Sequence, residues 1–405
     1  MVSGIERIPL EQALDLALAP VTPLKETLSL PLFQAVGYCA AEDAFAPMDN
    51  PPFDRSPLDG FALRSEDTRQ ASEAHPVSLA IAGTSAAGRP ANRGALPGEA
   101  FRIMTGAMIP GGCDCVVRKE VAQEKDNRVF ISEPLSRHEN YSFRGGDICR
   151  GQLLIQQGER LSYVHLGLLS SMGIGEIRVF QPPRIGLLCT GDELTLPGEP
   201  LKPGGIYDSH QALLGGRLRE LGFPLTCLPP VGDEVSPAVQ EIKNSMDALD
   251  VLITTGGVSV GERDMIPEAH EALGAKQLFR GMNFKPGMSV LYSLYRDKPL
   301  ISLSGNPFAA LTTFELLVKP VLAKLSRRGD LETRRSRARL LTPFPKESGG
   351  KRRFIRGRLD NDGVRLPEGH SSAQLFSLRG CNCLVDIPLG SGALPEGSPV
   401  DIVLL

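Results

Sequence analysis

The sequence predicts a multidomain protein of mixed class, α/β plus β. A central three-layer α/β domain on a parallel sheet follows a β-rich second domain and precedes a small, β-barrel-like C-terminal domain. Three observations predict this. The 405 residues exceed one ordinary core, so roughly two to four domains are expected. Residues 28–158 are rich in Gly and Pro, with short apolar runs between turns. Residues 184–324 alternate short apolar strands with helical patterns, as in a parallel sheet covered on both faces.

The elements follow in order. Leu10, Ala13, Leu14, Ala17 and Leu18 share one face of a helix over residues 9–19. Short strands are expected at 77–81, 101–104, 116–117 and 129–131, then a helix at 163–172 ending at Gly173. The α/β region supplies strands at 185–189, 225–228, 251–254 and 300–303. Its helices at 208–221 and 307–325 carry leucines at helical spacing. A polar, basic link over 326–339 reads as a domain boundary. Strands at 354–359, 383–387 and 400–404 complete the chain. The domains are expected at 1–47 with 145–180, 48–144, 181–326 and 327–405.

Composition narrows the function. Hydrophobic residues make up 41% and charged residues 22%, as in a globular protein. A net charge of −3 argues against a nucleic-acid partner bound through overall charge, and zero Trp removes the usual stacking platforms. No run approaches the roughly 18 apolar residues of a membrane span. The N-terminus, MVSGIERIPLEQ, has no basic region followed by an apolar one, so the expected location is cytoplasmic. The eight cysteines form two CxC pairs and four singles without zinc spacing, and read as apolar fillers.

Three loops carry the chemistry, because open parallel sheets bind ligands beyond the carboxyl ends of their strands. Cys189 leads into Thr190, Gly191, Asp192 and Glu193. Thr254 opens TTGGVSVGERD, where Gly256 and Gly257 let the backbone approach an anion; Ser259, Glu262 and Asp264 follow. Leu303 leads into Ser304, Gly305, Asn306 and Pro307, and a proline at a first helical position leaves free N–H groups beyond it. A tight turn with solvated acids explains any one loop; three together favour a phosphate or pterin site. Asp208 and Asp233 read equally as helix caps or as site acids. An acidic cluster beside bound phosphate requires a divalent cation such as Mg²⁺ between them. Lys285 in FKPG is a point charge for an anion. From Arg327 to Arg358, twelve Lys/Arg face three Asp/Glu. That run is either a solvated face or the wall of an anion site, with Arg356 its best candidate.

The ordered set FDRSPLDGFAL, RIMTGA, RGGDI, CTGDEL, IYDS, TTGGVSVGERD, KPG and SGNP resembles the molybdopterin molybdotransferase family, the MoeA proteins and the gephyrin E domain. The resemblance covers nearly the whole chain. It implies an elongated homodimer with a central molybdopterin-binding domain and a site at the interface. It further implies insertion of molybdate into adenylylated molybdopterin with Mg²⁺, releasing AMP and the molybdenum cofactor. Molybdopterin adenylyltransferase and acceptor molybdoenzymes are the implied partners. Matched residue by residue, Asp59, Thr105, Arg144 and Asp147 contribute to the site across the interface. Glu193, Asp208, Asp233 and Asp264 match acids that handle metal, pterin and nucleotide, with Glu193 and Asp264 as the metal pair. Lys285 matches the first lysine of KPGKP; Arg356 and Ser371 or Ser372 match groups that hold the oxyanion.

The departures define the alternative. Met288 and Ser289 replace the second lysine and the final proline of KPGKP, and Arg55 replaces a family asparagine. Losing that cation suggests a second reading, a molybdopterin- or cofactor-binding paralogue with weak insertion or with tungstate preference. A third is a nucleotide-binding enzyme of other specificity. Arg55 is a candidate to restore the lost charge.

Overall fold

The structure, a computed structural model, describes residues 6–259, 264–369 and 371–405. The central sheet has the order Leu225–Cys227, Ile185–Cys189, Val251–Thr255, Lys298–Leu303, Val290–Tyr295, Lys276–Arg280. The first four strands are parallel, as expected. The other two, unforeseen, add antiparallel pairing at one edge. Their hairpin turns through Arg296 and Asp297, at φ +53° and +61°. Two consecutive positive values suit a tight hairpin turn, but Arg-Asp lacks the Asn-Gly or Asp-Gly signature that would announce it.

Both faces of the inner strands are buried, which is why Ile185–Cys189, Val251–Thr255 and Lys298–Leu303 are largely apolar rather than alternating. Ile185, Leu187, Val251, Ile253, Ile301 and Leu303 pack with the helices Leu10–Leu18, His210–Glu220 and Lys319–Ser326. Leu188, Leu252 and Leu300 face the opposite layer, meeting Ile242 and Met246 of the helix Val235–Met246. The predicted helix over 307–325 is one rod with a fault: Pro307–Thr313, a π-turn at Phe314–Val318, then Lys319–Ser326. Pro320 has no N–H for an i→i−4 bond, and the ladder widens just ahead of it.

A second sheet runs Cys115–Arg118, Gly60–Leu63, Glu99–Ile103, Val77–Ser85, Arg128–Ile131, Gln123–Lys125. Thr27–Pro31 pairs with Glu176–Phe180, and Ala44–Phe45 with Leu153–Ile155. The C-terminal sheet runs Phe284–Lys285, Arg352–Leu359, Cys383–Ile387, Pro399–Leu404, Arg335–Arg339. The last strand corrects the basic link over 326–339, whose second half is an edge strand. Its arginines stand in alternate positions, and Arg335 and Arg337 bond Asp386 and Asp401. Charged side chains on an edge strand hinder pairing with other chains.

A polar chain crosses the central sheet. Thr254 Oγ1 donates to Ser302 Oγ at 2.7 Å, and His270 lies between Ser302 Oγ (3.1 Å) and Ser293 Oγ (2.9 Å). Burial pushes the imidazole down to about 4 from its ordinary 6.5. An unfolded chain takes up that proton near pH 6.5, whereas the folded protein resists it. This contribution to stability is therefore complete above pH 6.5 and declines towards pH 4, by on the order of 3 kcal/mol. Urea midpoints measured from pH 7 to 4 should fall less steeply for His270→Gln than for the parent chain. Parallel profiles would assign the decline to other groups.

Candidate functional site

The loops after three parallel strands converge on one edge of the sheet. Beyond Cys189, Thr190 donates from N and Oγ1 to Thr255 O at 2.9 and 3.1 Å, and Gly191 N donates to Val231 O at 3.0 Å. Beyond Thr255, Gly256 adopts φ +92° and Gly257 φ +57°. A Cβ on Gly256 would stand 2.3 Å from Thr190 O, so the close approach of these two loops requires glycine. Beyond Leu303, Asn306 N donates to Ser304 Oγ at 3.2 Å. Between the loops lies a cavity of about 580 Å³.

Eleven of the sequence-derived candidates line it: Thr190, Gly191, Glu193, Asp233, Gly256, Gly257, Ser259, Asp264, Gly305, Asn306 and Pro307. Tyr207, Ser209, His210, Ser289, Ala373 and Leu375 also line it and were outside the candidate set. Tyr207 and Ser209 belong to IYDS and His210 follows it directly, so that motif was the signal that could have found all three.

Several candidates have other duties. Asp192 turns away and accepts from Asp233 N at 3.1 Å. Asp208 accepts from His210 N at 2.8 Å and Gln211 N at 3.3 Å, so of its two readings the helix cap describes its bonds. Asp233, the other possible cap, makes no capping bond to the helix Val235–Met246 and lines the cavity instead. Behind Pro307, Phe308 N donates to Ser372 O at 3.0 Å, which occupies an N–H expected to be free for an anion. Glu262 lies outside the described residues.

A second cavity of about 290 Å³ adjoins the first and shares Ser289, Ser304 and Asn306 with it. Lys285, Met288 and Ser372 line it as the motifs suggested, and so do Lys346 and Arg353, which the basic run concealed. The KPG turn is rigid: Gly287 lies at φ +114°, where a Cβ would meet Thr313 Oγ1 at 2.5 Å. Arg356 is not in the lining. Its guanidinium donates to Gln374 O and Ser371 O at 2.6 and 2.5 Å and sits 3.9 Å over the Phe308 ring. Ser371 likewise stays outside, holding Arg356 through its carbonyl.

The remaining candidates occupy the second sheet and its loops. Asp59 Oδ1 accepts from N and Oγ1 of Thr105 at 2.7 and 2.8 Å, and those bonds hold the Asp59 carboxyl below its ordinary range. Arg144 pairs with Asp49 at 2.6 Å, and Asp147 accepts from Asn50 at 3.2 Å. None of these lines either cavity. Arg55 forms backbone bridges to Met108 and Ser142 and does not line the smaller cavity of its own chain. Among the described residues no three or more His, Cys, Asp or Glu side chains group as a metal site.

The architecture and the paired cavities define a multidomain protein built around an α/β unit with two adjoining cavities at one edge of its sheet. The sequence model of the MoeA N-terminal region (domain I and II) matches residues 8–173. That of the probable molybdopterin binding domain matches 186–324, and that of the MoeA C-terminal region (domain IV) matches 337–405. The molybdopterin molybdenumtransferase of Staphylococcus aureus (strain MSSA476) is 32% identical over 381 residues, covering 93% of this chain and 91% of that one. The Bacillus subtilis (strain 168) protein of the same name is 34% identical over 373 residues, covering 90% and 86%. A crystal structure of a molybdopterin biosynthesis MoeA protein from Pyrococcus horikosii superposes with a TM-score of 0.87. It is 32% identical and covers 98% of this chain and 99% of that one. The chain belongs to the MoeA family.

Gly256→Ala tests the loop geometry. The strained φ and the contact with Thr190 should lower stability by roughly 1–3 kcal/mol, read as a lower urea midpoint. A midpoint equal to the parent's would show that the two loops need not approach so closely.

Proposed function

We propose that this chain is a molybdopterin molybdotransferase that inserts molybdate into adenylylated molybdopterin and releases AMP. The observation that carries the reading is the pair of adjoining cavities with a common wall. The larger has glycine loops and carboxylates suited to a pterin phosphate and its nucleotide. The smaller is cationic and suited to an oxyanion. A reaction that brings a pterin and an oxyanion together needs both, side by side.

The residues of the larger cavity fit Mg²⁺ by their chemistry. Glu193 and Asp264 are hard oxygen donors that both line the cavity, and Mg²⁺ is commonly held by one or two carboxylates with phosphate and water completing its shell. When bound, the ion would neutralise phosphate charge. The chain's own groups do the rest: Thr190, Gly191, Gly256 and Gly257 form the cradle, Asp233 orients a polar group of the substrate, and Lys285 attracts the oxyanion. Opening a phosphoanhydride calls for charge neutralisation and positioning more than for a covalent nucleophile.

The reading takes the chain as four units, 1–47 with 145–180, 48–144, 181–326 and 327–405. Pairing of Thr27–Pro31 with Glu176–Phe180 supports the discontinuous first unit. Phe33 and Tyr163, 96% and 83% exposed in that unit, support a homodimer. In it Asp59, Thr105, Arg144 and Asp147 would complete a second copy's site. The enzyme would act in the cytoplasm, between the adenylyltransferase that supplies its substrate and the molybdoenzymes that accept its product. No described helix is long and apolar enough to cross a membrane.

The test is AMP release from adenylylated molybdopterin by the full chain with molybdate and Mg²⁺. Glu193→Gln and Asp264→Asn should each slow it by roughly a hundredfold or more. Absence of AMP and of assembled cofactor with the parent protein would refute the assignment.

A further inference from the structure

The smaller cavity holds more positive charge than its sequence motif supplies. Lys285 comes from the KPG turn, while Lys346 and Arg353 enter from the C-terminal segment, and among the described residues no carboxylate lines the cavity. Parallel pairing sets Lys285 directly opposite Arg353. Like charges so placed weaken a sheet unless something neutralises them. Lys351 brings a fourth cation, its Nζ 3.1 Å from Sδ of Met288, the position where the family carries lysine. Burial, then Lys285, Arg7 and Arg353, push the Lys351 ammonium below its ordinary range. Neighbouring arginines are treated differently, since Arg335 and Arg352 both pair with Asp386. Among the described residues, Lys285, Lys346, Lys351 and Arg353 have no carboxylate partner, and Arg353 Nε is buried without a hydrogen bond.

We infer that Lys346 and Arg353 are oxyanion-binding residues that replace the charge absent at Met288 and select a tetrahedral dianion over a monoanion. The inference rests on the reading of this cavity as the oxyanion site. A surplus of cations without acids is relieved more fully by two negative charges than by one. The guanidinium of Arg353 offers paired donors to two oxygens of one anion, and Lys346 adds a mobile point charge. Met288 is then no lesion. Its thioether packs under Lys351, and a lysine in its place would meet that ammonium directly.

Calorimetric titration of the full chain with molybdate, sulfate and perchlorate tests this, with AMP binding and the urea midpoint as controls for folding. Lys346→Met and Arg353→Met should each weaken molybdate binding about tenfold to a hundredfold, with both controls unchanged. Lys346 is exposed, so its variant is expected to fold normally. Molybdate and sulfate should bind more tightly than perchlorate, and Met288→Lys should bind molybdate no better than the parent. If Lys285→Met loses molybdate while Lys346→Met and Arg353→Met keep parental affinity, the inference falls and the oxyanion reading stands. A tenfold gain from Met288→Lys also overturns it. If the parent binds neither molybdate nor sulfate, the oxyanion reading fails and the inference with it.

Discussion

A two-residue parallel pairing holds the functional half of this molecule together. Phe284–Lys285 leaves the α/β unit and becomes the edge strand beside Arg352–Arg353 of the C-terminal sheet. Phe284 is buried edge-on against Phe354, ring centroids 5.2 Å apart. Both rings belong to a core that also holds Ala13 of the first helix, Leu187 of the central sheet and Val403 near the chain's end. Two sheets of different topology thus share one apolar interior. Because that interior is packed at close to crystalline density, the angle between the units is set by side-chain fit. The smaller cavity exists only because this angle is fixed, since its walls come from both sides of the seam.

The two cavities divide charge between them. Glu193, Asp233 and Asp264 line the larger; Lys285, Lys346 and Arg353 line the smaller. Had the cations stood within the acidic cavity they would have closed it with ion pairs, leaving no room for substrate charge. The common wall is neutral: Ser289, Ser304 and Asn306. Ser289 Oγ donates to Ser259 Oγ at 3.2 Å, and Arg280 anchors the carbonyl of the same Ser259 at 2.7 Å. Hydroxyls and an amide both donate and accept, so they can bond polar groups on either side.

Much of this was legible in the sequence, for identifiable reasons. Three of the four parallel strands were readable because burial on both faces forces largely apolar runs, and their loops because glycine is required where Gly256 meets Thr190. Ligand-facing edges follow from sheet topology, so Glu193, Asp233 and Asp264 could be brought together without coordinates. The antiparallel edge was hidden because Arg296 and Asp297 make its turn without a turn signature. The strand Arg335–Arg339 was hidden because edge strands carry charge in place of alternating apolar residues. Lys346 and Arg353 lay in plain sight inside a basic run, but composition cannot say which members of a run are paired. Asp386 takes Arg335 and Arg352, and among the described residues Arg353 has no carboxylate partner, a distinction made by strand register.

Arg356 shows how far a correct residue can stand from an expected role. A strand arginine in a basic run suggests a ligand for an anion, and this one is fully buried and, among the described residues, has no carboxylate partner. Its guanidinium lies on the Phe308 ring and donates to two carbonyls of the loop at 371–375. The loop is thereby drawn against the start of the helix Pro307–Thr313, where Ser372 O takes the N–H of Phe308. From that position Ser372 lines the smaller cavity, while Ala373 and Leu375 line the larger. A lysine could neither stack on the ring nor reach both carbonyls with a planar fork. Arg356 therefore acts on both cavities by shaping the segment that closes them.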